Sequence, residues 1–500
     1  MTTDLLNIEP PESRRPRGNA VVAWIVIAVV VAVELTLAAA AARAAEAEGG
    51  DDVIGALMLR IQCRYAVAAA AMTGSAPMLY EQLGQFNVGP LGLRQRFITV
   101  AAELAGPAEA ERLVGELDGM IAEERVRTAD TDTPFTPTDS QLAVQEALRT
   151  LYRGPDGGRP EAGAAAVHLD ALNADAKTLL RDELGWFGAL ALAPAGQVDE
   201  ATRDAVLAPA WRTLVIVIVA VGFAGLAGVA GFVGLIIVLV LAFLGRLRDG
   251  LTVAGTHHAV YVETFALWLI LFLLFQVAAG LFALQPPVQF SVIVVAFLAS
   301  LVALAWPGFR GVPWSQVRAD IGWTTGRGVL IETAAGLGSY AMALPIVAVG
   351  VMLSYLLILL GTTGLTSGEG PPFDPAGGPA HPVVGVLDGS LVSLLPILVL
   401  GAIAAPIVEE TMFRGVLYAH FRAATNRWAR PASILAGAAG TGFVFAIVHP
   451  QGWMAVPALM SLAVAFALAR EWRSSLIAPM VMHGVSNALV LTMISMLAGA

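Results

Sequence analysis

The chain has 500 residues, of which 57% are hydrophobic and only 14% charged, and its mean hydropathy is +0.72. So much apolar surface cannot be hidden in water-soluble cores, which places the chain in a membrane. The formal net charge of −10 comes mostly from acidic residues between about 46 and 205, nothing resembles a nucleic-acid-binding surface, and the lone Cys63 excludes an internal disulfide framework and a cysteine-based zinc site.

Residues 1–18 are polar and carry Arg14, Arg15 and Arg17 immediately ahead of an apolar run from about 19 to 42. That run is long enough to span a bilayer and too long for the apolar core of a typical signal peptide, so residues 19–45 are expected to form an uncleaved transmembrane anchor. Three arginines before it against one after it, Arg43, predict a cytoplasmic N-terminus. Residues 46–211 differ in kind. They are acidic and carry helical repeats such as Leu113, Leu117 and Ile121, or Leu142, Leu148 and Leu151, and they read as an α-helical soluble domain on the extracytoplasmic side, with a surface on which a protein partner can dock. Thr138 followed by Gln141 resembles a capping box for the second of these helices, and the Gly/Pro-rich 154–163 reads as a loop.

From Trp211 onward, long apolar runs alternate with short polar connections, at roughly 213–245, 259–284, 288–305, 328–362, 388–421, 432–449, 453–470 and 475–498. With the anchor they make about nine spans, divided into accessory helices at 212–327 and a membrane domain at 328–500 that holds the candidate chemistry. Arginine checks the count independently. Arg246 and Arg248, then Arg310, Arg318 and Arg327, then Arg422, Arg427 and Arg430, then Arg470 and Arg473 fall in every second connection, and the loops at 285–287, 363–387 and 450–452 have none. The positive-inside rule asks for this pattern in nine spans with the N-terminus inside and the C-terminus outside. The expected fold class is therefore all-α: a polytopic membrane protein with an inserted extracytoplasmic helical domain.

A charged side chain at mid-bilayer costs roughly 2.5–3.5 kcal/mol even on the lenient insertion scale, so ionisable residues inside spans are functional candidates. They gather beyond residue 388. Glu410 and Arg414 stand at i and i+4 with the acid N-terminal, so each can neutralise the other on one helix face, whereas Glu409 is turned about 100° away without that partner. A lone carboxylate in a low-dielectric site holds its proton more readily, as a general base near neutral pH must. Glu409 is accordingly read as the base, and Glu410 with Arg414 as the structural pair. His483 and Asn487, again four apart, project from one face of the last span and can aim two donors at a single oxygen. Phe445 lies one turn before His449, where its ring can fix the imidazole.

Glu409-Glu410-Thr-Met-Phe-Arg414, Phe445-Ala-Ile-Val-His449 and His483-Gly-Val-Ser-Asn487 together resemble the EExxxR, FxxxH and HxxxN signature of the CAAX prenyl endopeptidase and bacteriocin-processing family. The resemblance covers about 388–498 and implies an intramembrane endopeptidase. Glu409 and His449 would activate water, His483 and Asn487 would steady the oxyanion, and Glu410 and Arg414 would organise the cavity. The implied substrate is a membrane-associated protein or peptide, prenylated CAAX-type chains among the candidates. The implied location is a bacterial cytoplasmic membrane. Two cofactor readings follow: a divalent metal such as Zn²⁺ on Glu409, His449 and His483, or metal-free chemistry, which is preferred because no HExxH helix exists.

Competing readings are a catalytically silent scaffold or self-immunity protein, and a transporter. A transporter predicts matched, broken helices in two halves, but here the polar residues are confined to one end. Among the other ionisable residues, Glu34 in the anchor is expected to pack or hydrogen-bond. Glu263, Glu332 and His420 are expected near the interface in solvated or surface positions, His257 and His258 lack a third metal ligand, and 363–387 reads as a linker or lid.

Overall fold

The structure, a computed structural model, describes residues 18–47, 53–131, 134–154, 166–246, 251, 257–281, 286–362 and 389–499. The expected tail, the body of the loop at 154–163 and the segment 363–387 lie outside these residues. Every regular element among the described residues is helical. Nine of the helices are long and apolar enough to cross a membrane: Ala20–Ala40, Glu200–Phe243, His258–Gly280, Val288–Phe309, Val329–Leu360, Leu391–Ala424, Arg430–Ile447, Trp453–Arg473 and Ile477–Gly499. They match the spans expected from hydropathy to within a few residues at most ends. The chief departure is the helix Glu200–Phe243, whose 44 residues start well before the apolar run. At 1.5 Å per residue it is about 66 Å long, twice a hydrocarbon core, so its first turns lie outside the bilayer.

The described residues fall into two compact units, one from within 1–45, 224–365 and 390–492, the other from within 46–223, 366–389 and 493–500. In the second unit, Leu113, Leu117, Ile121, Leu148 and Leu151 are buried in one apolar core, as their spacing predicts. The capping box at Thr138 forms in both directions: its hydroxyl accepts from Gln141 N at 3.1 Å, and Gln141 Oε1 accepts from Thr138 N at 3.0 Å.

In the first unit, Ala23, Ile27, Val30 and Val31 of the anchor join the core that contains Phe265, Trp268, Phe413 and Phe445. Of three residues expected at solvated positions, His420 and Glu332 are buried and Glu263 is partly so. His420 is buried; Trp24 Nε1 donates to its Nε2 at 3.2 Å, and its Nδ1 donates to His258 O at 2.8 Å. Glu263 accepts from Asn19 N at 2.6 Å and from Trp306 Nε1 at 3.0 Å, with Arg310 at 3.2 Å. Glu332 is fully buried, held by Arg473 at 2.6 Å and by Arg327 N at 3.0 Å. A carboxylate near the membrane surface is as well satisfied by a neighbouring helix as by water, and sequence spacing alone does not tell the two apart.

Candidate active site

The helix 391–424 is not uniform. Its turns widen to π geometry at Val399–Ala404 and again at Glu410–Leu417, on either side of the α-turn Ala405–Glu409. Such wide turns inside helices concentrate at functional sites. Proline accounts for part of the irregularity. Ala405 N bonds back to Leu400 O, and Pro406 has no N–H, so neither of these donors serves Gly401 O. Asn487 Nδ2 supplies one from the helix 477–499, at 2.7 Å. The two helices can approach so closely because the residue facing Ala402 O is Gly484, where a Cβ would stand 2.6 Å from that oxygen.

Glu410 and Arg414 pair as expected, Nη1 to Oε1 at 3.0 Å, and both are fully buried. The pair is not closed, because His483 Nδ1 also reaches Glu410 Oε1, at 2.8 Å. A carboxylate only accepts, so Nδ1 of His483 carries the hydrogen and its Nε2 faces away from Glu410. His449 is fixed in the same sense: Nδ1 lies 2.6 Å from Phe445 O, and its ring centroid is 4.1 Å from that of Phe445. Backbone and ring of Phe445 thus hold His449, one atom more than ring packing alone predicts.

Glu409 Oε2 then lies 3.9 Å from His449 Nε2 and 3.8 Å from His483 Nε2. Three helices, 391–424, 430–447 with its C-terminal extension, and 477–499, bring these groups to one place. Glu409 Oε2, Glu410 Oε2 and the Nε and Nη2 of Arg414 are buried and, among the described residues, have no hydrogen-bond partner. Buried polar atoms in that condition are where solvent or substrate is bound.

Sequence spacing misses two contributors. Phe466, fully buried on the helix 456–473, stacks on His483 at 5.3 Å between ring centroids and also faces the Arg414 guanidinium at 5.2 Å. Phe445 holds the same guanidinium at 4.4 Å and Phe413 lies at 5.8 Å, so three rings take up a charge that one carboxylate leaves partly unmatched. Thr411 accepts from Trp323 Nε1 at 3.0 Å, which ties the wide turn to the connection before the helix 329–362. An apolar span hides Phe466 among many equivalent phenylalanines, and Trp323, which shares its polar connection with one other indole, Trp314, carries the more usable signal.

For a metal, Glu409, His449 and His483 have suitable donor atoms, but two ligands of one zinc ion at about 2.1 Å stand about 3.4 Å apart. The separations of 3.9 and 3.8 Å are wider than that. Among the described residues, no group of three His, Cys, Asp or Glu is gathered to hold a metal ion.

No curated protein and no solved structure matches the chain. Residues 391–489, the stretch carrying all six polar side chains of this cluster, match the family of type II CAAX prenyl endopeptidase, Rce1-like. This multi-pass membrane protein therefore carries, at residues 391–489, an Rce1-like domain of the CAAX prenyl endopeptidase family.

Proposed function

We propose that the chain is an intramembrane endopeptidase that hydrolyses a peptide bond in a membrane-associated protein or peptide, with Glu409 as the general base. The observation that carries this reading is the convergence of Glu409 Oε2 with the Nε2 atoms of His449 and His483 at 3.9 and 3.8 Å, from three separate helices. A water held there donates one hydrogen to Glu409 and the other to His449 Nε2, an acceptor because Nδ1–H is committed to Phe445 O. Glu409 takes the proton as the water oxygen attacks the scissile carbonyl carbon. The carbonyl electrons move onto oxygen, where the His483 side chain and the second N–H of Asn487 stabilise the oxyanion. The oxyanion then collapses, the C–N bond breaks, and Glu409 returns its proton to the leaving nitrogen. Glu410 acts through His483, whose Nδ1–H it fixes.

The membrane supplies substrate specificity of a simple kind. A site buried among helices 391–499 is reached by chains that already lie at the bilayer, which a lipid-modified peptide does and a free soluble peptide does not. The test compares purified wild type with Glu409→Ala on a fluorogenic prenylated peptide and on unmodified membrane-protein substrates. Loss of about 10²–10⁴-fold in kcat is expected, the range of a positioned general base. Equal turnover by the two proteins removes Glu409 from the mechanism. A chelator added to the same assay is expected to leave wild-type turnover unchanged, and inactivation reversed by zinc would overturn the metal-free chemistry.

A further inference from the structure

The connection that leads into the helix 329–362 is gripped by the catalytic helices that follow it. Its short helix Trp314–Ile321 ends at Gly322, in the left-handed conformation at φ 85°, where a Cβ would stand 2.5 Å from the guanidinium carbon of Arg470. With no side chain there, the backbone can lie against two elements at once. From the junction of the helices 456–473 and 477–499, Arg470 Nη2 donates to Asp320 O at 3.1 Å, Leu476 N donates to Gly322 O at 3.1 Å, and the hydroxyl of the buried Ser475 donates to Thr324 O at 2.9 Å. From the helix 391–424, Gly415 makes room for Ile321 O, which a Cβ would meet at 3.0 Å, and Thr411 Oγ1 accepts from Trp323 Nε1 at 3.0 Å.

These contacts fall next to the reacting side chains. The Thr411 hydroxyl donates in turn to Ile407 O at 2.7 Å, so the relay from Trp323 through Thr411 to Ile407 brackets Glu409 and Glu410. Leu476 immediately precedes the helix Ile477–Gly499 and stands about two turns ahead of His483. Residues 320–324 therefore pin both helices whose meeting places His483 Nδ1 2.8 Å from Glu410 Oε1 and His483 Nε2 3.8 Å from Glu409 Oε2. A constellation built on separate helices keeps its geometry only as well as the groups that support those helices. The connection lies outside residues 391–489, the stretch that matches the endopeptidase family. We infer that residues 320–324 set the distances among Glu409, Glu410 and His483, with Trp323 as a positioning residue that acts through Thr411. The expected effect on turnover rests on the peptidase reading, whereas the effect on His483 does not.

The test uses the full-length protein in detergent, with histidine labelled by a nitrogen isotope, as wild type, Trp323→Phe, Thr411→Val and Thr411→Ser; His483→Gln identifies the His483 imidazole signal by nuclear magnetic resonance. Trp323→Phe and Thr411→Val are each expected to shift the His483 signal and to lower kcat about 10-fold with KM unchanged, the cost of a small misplacement of reacting groups. Thr411→Ser, which keeps the acceptor, should match wild type in both readouts. The double variant should be no worse than either single one, because both remove the same hydrogen bond. A bond that served only stability would lower the melting temperature and leave the His483 signal and kcat where they were. An unmoved His483 signal in Trp323→Phe and Thr411→Val overturns the inference, and so does wild-type kcat in both while Glu409→Ala is inactive. If Glu409→Ala turns over like wild type, the peptidase reading has failed on its own and the His483 signal alone decides. Should Trp323→Phe fail to fold, Thr411→Val against Thr411→Ser carries the same comparison.

Discussion

Glu410 shows what one residue can do when it has two partners. From spacing, Glu410 and Arg414 make an isolated pair and Glu409 is the unpaired acid, and the structure reproduces that pairing at 3.0 Å. What spacing cannot show is the contact across 73 positions that gives Glu410 the Nδ1–H of His483 as well. A helical offset of four is fixed by the helix itself, whereas the meeting of two helices depends on how every side chain between them packs. Glu410→Gln keeps a side-chain acceptor for His483 but removes the charge beside Arg414, so two effects should separate. Turnover is expected to fall about 10–100-fold with little change in KM, the usual cost of disturbing a group that orients a reacting histidine. Stability should fall as well, by about 3 kcal/mol, because Arg414 then stays buried without its counter-charge. Steady-state kinetics and thermal unfolding in detergent measure the two, and a variant with wild-type kcat would deny Glu410 its orienting role.

At the level of the helix, hydropathy predicts where the span 388–421 begins and ends but not its shape. The wide turn at 399–404 lies where the backbone must bypass Pro406 and where Gly484 seats closely against Ala402, and a second wide turn follows at 410–417. Neither leaves a mark in apolar periodicity. Beside the oxyanion role proposed for it, Asn487 acquires a second task from this irregularity, since its amide donates to Gly401 O. Pro406→Ala gives a way to divide the two tasks, because alanine returns an N–H to the turn. Asn487→Ala alone should cost about 1–3 kcal/mol, the penalty of a buried carbonyl left without a donor. Combined with Pro406→Ala, about 1 kcal/mol should be regained, a coupling that a double-mutant cycle reads directly. Activity should not return with stability if the remaining N–H of Asn487 serves the oxyanion. Recovery of both together would assign Asn487 to architecture alone.

Over the whole molecule, composition and hydropathy read the membrane body well, because crossing a bilayer imposes a length of apolar chain that few sequences satisfy by accident. The continuous helix Glu200–Phe243 was less legible, since its polar first turns and apolar remainder look like separate segments in hydropathy. That helix fixes a testable parity. Between Val126 and Trp428 lie the candidate spans 200–243, 258–280, 288–309, 329–360 and 391–424, an odd number, which predicts opposite sides of the membrane for the two positions whichever way the protein is inserted. Both side chains are exposed, Val126 at 79% and Trp428 at 57%, and Cys63 is buried with its thiol pushed up by that burial, so the native cysteine should react little. Val126→Cys and Trp428→Cys, probed with a membrane-impermeant maleimide on intact cells, are therefore expected to differ. The arginine alternation adds the sign: Val126→Cys should label from outside, and Trp428→Cys only after permeabilisation. The reverse result would keep the five crossings and invert the protein, whereas labelling of both from one side would mean that one of the five helices does not cross, and with it the arginine alternation would lose its meaning.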